Sequence, residues 1–99
     1  MSKKAVAIAF DNRVYRISPG MRLVCEIEDE LGPLPLLHER LATDMFSLSE
    51  LVALTQMLLQ AAGRMVDYIE LGDRMLQEGI AAHALAARKF IDLAIDGEK

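Results

Sequence analysis

Between residues 48 and 62 the apolar positions recur at helical spacing. Leu48, Leu51, Val52, Leu54, Leu58, Leu59 and Ala62 fall on one continuous arc, roughly 160° wide on a helical wheel. Ser47 and Glu50 stand at the S-x-x-E spacing of a capping box, in which each side chain satisfies a free N–H of the first turn. Gly63 stands where a left-handed residue would close the helix. The opposite face holds Ser49, Glu50, Ala53, Gln56, Met57 and Gln60, so the stretch carries a single charge. A helix with so wide an apolar arc and so little charge needs neighbours on several sides.

The flanking patterns supply those neighbours. Val6, Ile8 and Phe10 alternate with Ala5, Ala7 and Ala9, and Tyr15 and Ile17 alternate with Val14 and Arg16, a β-hairpin pattern. With Asp11-Asn12 as a two-residue type I′ turn, Ile8 faces Tyr15 and Val6 faces Ile17. Ser18 as N-cap and Pro19 at the first position open a helix that runs to Leu31 and stops at Gly32-Pro33. Its narrow stripe is Leu23, Val24, Ile27 and Leu31. A short helix follows over 34–42, opened by Pro35, with Leu34, Leu37 and Leu41 in register. Phe46 then precedes the central helix, placed to staple against Leu51.

Asp67 and Glu70 repeat the capping spacing and start a fourth helix. Its arc is Tyr68, Ile69, Leu71, Gly72, Met75 and Leu76, with Gly79 as the stop. A mid-helix glycine costs about 1 kcal/mol against alanine, which predicts a close helix approach at Gly72. Residues 81–95 form an alanine-rich last helix with Ala84, Ala86, Ala87, Phe90, Ile91, Leu93, Ala94 and Ile95 on one face. The expected fold is mainly α with a small N-terminal β-hairpin (α+β), about five helices packed around the helix near 48–62. A single domain over 1–99 is expected, with the hairpin at 3–17 and the helical bundle at 19–97.

Composition narrows the function classes. The chain is 99 residues long, 53% hydrophobic but only 5% aromatic, so the core is aliphatic. Fifteen acidic against eleven basic residues give a net charge of −4, which argues against a phosphate-backbone binder. A single cysteine, Cys25, permits no internal disulfide and fits a reducing compartment. Lys3-Lys4 before Ala5–Phe10 imitates a signal peptide, but the apolar run is too short and ends in Asp11-Asn12-Arg13. The chain is expected to be soluble and cytoplasmic, with neither nucleic acid nor membrane as a partner.

Candidate chemistry is sparse. Glu26, Glu28, Asp29 and Glu30 crowd the C-terminal half of their helix, where negative charge opposes the helix dipole. Glu28 points away from the other three on the wheel, leaving a solvated acidic face or a dock for a basic partner. His38 and His83 lack metal-ligand spacing; His83 reads as a half-buried, hydrogen-bonded side chain. Cys25 lies at the edge of an apolar stripe and reads as packing. The chain carries no phosphate loop, G-x-S-x-G or H-E-x-x-H motif. No enzyme activity, cofactor or metal is expected. The remaining signal is apolar surface: Ala53, Met57, Leu36 and Leu85 lie off the core faces of their helices. Met57 and Leu85 are the candidate partner contacts, with Glu26, Asp29 and Glu30 as a polar rim. The hairpin's alanine strand leaves an edge open to a second copy, so a homo-oligomer is expected.

One order of landmarks carries a family resemblance. Val14-Tyr15-Arg16-Ile17 leads to Ile27-Glu28-Asp29-Glu30-Leu31-Gly32 and Leu36-Leu37; Phe46-Ser47-Leu48-Ser49-Glu50-Leu51, Ala61-Ala62-Gly63, Glu78-Gly79-Ile80 and Phe90-Ile91 follow. Over about residues 4 to 97 this resembles the gene-transfer-agent type of phage tail assembly chaperone. The hairpin turn departs from the pattern, with Asp11-Asn12 where relatives tend to carry glycine. The resemblance implies a non-catalytic protein that binds the tape-measure protein and keeps it soluble and extended until tail-tube subunits polymerise around it. Some relatives carry a tail-tube label, but tube subunits are built largely from β-sheet, and two strands with five helices fit that role poorly. The alternative is a small structural virion component or a helical adaptor.

Overall fold

The computed structural model describes residues 4–97. Strands β1 (Val6–Phe10) and β2 (Arg13–Ile17) form an antiparallel hairpin, followed by helices α1 (Met21–Leu31), α2 (Leu34–Ala42), α3 (Leu48–Ala61), α4 (Tyr68–Glu78) and α5 (Ala81–Asp96). The fold is thus mainly helical with one small sheet, as the pattern predicts. Lys3, the expected first hairpin residue, lies outside the described residues.

Helix α3 sits at the centre, touching α1, α4, α5 and β2. Leu51, Leu54, Leu58 and Leu59 are all buried. Its ends are closed as the sequence indicates. Ser47 Oγ accepts the Glu50 N–H at 3.1 Å, and Glu50 Oε1 accepts the Ser47 N–H at 3.2 Å. At the other end Gly63 has φ 89°. The Arg64 N–H reaches the Leu59 carbonyl at 2.9 Å and the Gly63 N–H reaches that of Gln60 at 3.0 Å, the paired bonds of a Schellman motif. The wheel omits one buried residue of this helix, Thr55.

The hairpin has the expected register, Val6 opposite Ile17 and Ile8 opposite Tyr15. Asp11 and Asn12 both hold positive φ, 56° and 62°, as a type I′ turn requires. Val6, Ile8, Phe10 and Ile17 are buried against the helices, with β1 on α5 and β2 on α3. The turn is tied down by charge. Asp11 accepts from Arg64 at 3.3 Å and from Arg74 at 3.1 Å. Both guanidinium groups lie over the Phe10 ring, 5.3 and 5.1 Å from its centroid, within cation–π range.

Four expectations are corrected. Ser18 does not cap α1: its hydroxyl donates to the Lys4 carbonyl at 3.0 Å, closing the open end of the hairpin. The helix therefore begins only at Met21, with extended Gly20 as N-cap and no side-chain cap bond. Cys25 is exposed rather than packed, because it stands about 200° around the helix from Ile27, the buried residue of α1. Leu48 on α3 and Ile95 on α5 are exposed, since each lies in a terminal turn. Ile69 and Leu76 are also exposed; α4 packs chiefly on α3, and one contact covers only part of its apolar arc.

Two substitutions test this packing by urea denaturation. Leu58→Ala leaves a cavity in the middle of the core and is expected to cost about 2–5 kcal/mol. Gly72→Ala is expected to be neutral or stabilising by up to about 1 kcal/mol, because its methyl would meet the Val52 Cγ atoms at 3.6 Å, ordinary contact. A loss above about 1 kcal/mol at Gly72 would refute that account.

Candidate functional site

Where α4 leaves α3, an apolar groove of about 200 Å³ opens between them. Its floor is Val52, Gly72 and Met75. Gly72 faces Val52 of α3, but an added Cβ would stand 3.6 Å from it, an ordinary contact, so the crossing does not require a glycine and the especially close approach expected there is not found. Leu48 walls one side and Ile69 and Leu76 the other. These three are 44, 65 and 60% exposed, so the groove is a surface of large aliphatic side chains in water. The Tyr68 hydroxyl donates to the Ser49 carbonyl at 3.1 Å, tying the first turn of α4 to that of α3. Asp67 holds the start of α4 by accepting the Glu70 N–H at 3.0 Å. Among the described residues, the only charged one lining the groove is Asp73.

The residues marked by the sequence are placed differently. Met57, Glu26, Asp29 and Glu30 come together around a second groove of about 360 Å³ between α1 and α3, with Ala53, Gln56 and Gln60. Met57 is half-buried against the core. Leu85 is exposed and does not line that groove; on the wheel it stands opposite the buried His83, Ala87, Phe90 and Ile91 of α5. Glu28, the fourth acid of the cluster, has a structural task. Its Oε2 accepts the Leu34 N–H at 2.8 Å and so caps α2, whose Pro33 and Pro35 leave few first-turn donors.

The histidines are bound within the fold. His83 is buried and hydrogen-bonded to Glu78 at 3.1 Å, while His38 on α2 is hydrogen-bonded to Asp92 on α5. Among the described residues, no three His, Cys, Asp or Glu side chains gather where they could hold a metal ion. No helix among them is long and apolar enough to cross a membrane.

Helical periodicity places Ile69, Leu76 and Leu48 on core-facing arcs, so the α3–α4 groove is not visible in the pattern itself. The signal for it is arithmetic. An arc of six residues on α4 is wider than a helix flanked by one main neighbour can bury.

The family model described as "Phage tail tube protein, GTA-gp10" matches residues 3–97. No curated protein and no solved structure matches the chain.

The acidic cluster separates cleanly by mutation. Glu28→Ala removes the α2 cap and is expected to lower stability by about 1 kcal/mol. Glu26→Ala and Glu30→Ala, both at exposed positions, are expected to change it by less than about 0.5 kcal/mol. Thermal melts of the three variants give the comparison; equal losses would refute the cap.

Proposed function

The chain belongs to the phage tail tube protein, GTA-gp10, family, and from that premise we propose that it acts in tail assembly as a non-catalytic chaperone. Its client is the tape-measure protein, which it keeps soluble until the tube closes around it. The observation that carries this reading is the α3–α4 groove, where Leu48, Ile69 and Leu76 stand exposed around an apolar floor. A small monomer exposes a contiguous aliphatic surface at a cost in solubility, so such a patch marks an interaction site. A long helical client whose apolar stripes await the tube is the kind of chain that such a surface protects from aggregation. The fold supports the same reading, because two five-residue strands offer little sheet for a tube wall. Met57 with Glu26, Asp29 and Glu30, and separately Leu85, would extend the contact on other faces.

The second reading is a structural tail component, favoured by the family's own description and by Ala7 and Ala9, which stand exposed along β1. Among the described residues that strand pairs with β2 alone, so its other edge would be available to a second copy and a homo-oligomer. Two measurements separate the readings. Co-expression with this chain is expected to raise the soluble yield of the tape-measure protein from the same gene cluster at least severalfold, and purified tails are expected to lack the chain by mass spectrometry. An unchanged yield would sink the chaperone, and the chain present at stoichiometric amounts in finished tails would establish the structural role.

A further inference from the structure

We propose, on the basis of the chaperone reading, that the α3–α4 groove takes one amphipathic helix of its partner, with an apolar stripe flanked by lysine or arginine. The shape comes first. Ile69 and Leu76 lie seven residues apart, about 10 Å along α4, and stand exposed on the same wall. Residues at i and i+7 of an incoming helix have that spacing, and those at i+3 and i+4 fall between them. There the groove is lined by Gly72, Val52 and Met75, an apolar floor between the two exposed side chains against which those intervening residues would rest.

Charge then selects the flanks. Asp73 lines the groove, and Glu70 stands three residues before it on the outer face of α4, exposed like Asp73. Among the described residues neither has an ion-pair partner. No lysine or arginine lines the groove, and the one cation of α4, Arg74, is drawn to Asp11 and Phe10. A helix with acidic flanks would meet like charge, and a helix with basic flanks would make ion pairs along its outer side. A second copy that met the groove through its own α4 would set Glu70 and Asp73 against the same residues, acid against acid. The exposed face of α5, with Leu85 beside Arg88 and Lys89, is the surface of a second copy that would compete, and light scattering reads it.

The test uses the full chain and two synthetic helical peptides with the same leucine spacing, one flanked by lysines and one by glutamates. Binding is read by fluorescence anisotropy at low and at high salt. The lysine peptide is expected to bind about tenfold more tightly, two modest ion pairs' worth, and to lose that advantage in high salt. Leu76→Glu and Ile69→Glu replace already exposed side chains, so circular dichroism and melting temperature should hold while binding falls at least tenfold. Leu76→Gln, which adds no charge, should weaken both peptides, and Asp73→Lys should reverse the preference between them.

Equal binding of the two peptides, no binding of either, or binding that survives Leu76→Glu would overturn the proposal. So would a doubled mass in light scattering that Leu76→Glu abolishes, since the groove would then be filled by a second copy. Failure here is distinguishable from failure of the chaperone reading. If Leu76→Glu still keeps the tape-measure protein soluble in co-expression, the chaperone stands and this occupant falls.

Discussion

Helix α3 carries one charged residue in fourteen, and that residue, Glu50, is spent on its own N-terminus and on Arg40 at 2.8 Å. Such a helix gains by leaving water on most of its circumference. The neighbours each supply a stripe to cover it: α1, α4, α5 and β2 all touch α3. None of those stripes would bury itself alone. Ile27 of α1, Leu71 and Met75 of α4, and Phe90 and Ile91 of α5 are all buried, and α3 is the element that touches all three helices, with α2 and β1 adding cover to α5. The hairpin depends on the same helix, since an isolated pair of five-residue strands is marginal in water.

Polar contacts orient this core rather than hold it up. Arg40 joins α2 to the start of α3 and reaches the Leu31 carbonyl at 3.4 Å. Glu28 fixes the sharp passage from α1 into α2. Asp11 gathers Arg64 and Arg74 at the hairpin tip, where each partner is more than a third exposed and each pair contributes little. Their value is directional. They set where the hairpin ends relative to the start of α4, and they withdraw Arg74 from the outer face of that helix. The same arrangement leaves the outer face of α4 acidic beside an apolar groove, the electrostatic character that a tail-assembly partner would meet.

On the proposed chaperone reading, the chain would need a surface that its own folding does not use, and the exposed apolar residues at the edge of α4, which packs chiefly on α3, would serve. Gly72 faces Val52 of α3 in ordinary contact range, and beyond it Ile69 and Leu76 overhang without cover. Stability and binding thus draw on one apolar arc: Leu71 and Met75 face the core and Ile69 and Leu76 face outward. That division lets outward positions change at little cost to the fold, which would suit the release of a partner under the proposed role.

How much was legible in the sequence follows from which interactions are local. The capping box of Ser47 and Glu50, the Schellman glycine Gly63, the type I′ turn at Asp11-Asn12 and the hairpin register all rest on residues a few positions apart. They stood in the structure as the pattern indicated. Periodicity also identified Leu51, Leu54, Leu58 and Leu59 as core, because α3 is enclosed on several sides. Where a helix has one main neighbour, periodicity names the apolar arc but not the fraction that is covered, so Ile69 and Leu76 share the arc of Leu71 and Met75 yet stand exposed beside the groove. Ser18 departs from the local capping pattern for a similar reason: its hydroxyl bonds to a residue fourteen positions away, and only the closed hairpin brings that carbonyl within reach. The sequence by itself therefore determined the elements, their ends and the central helix. The tertiary structure alone decided which apolar and acidic side chains were left facing water, since that depends on where neighbouring helices stop.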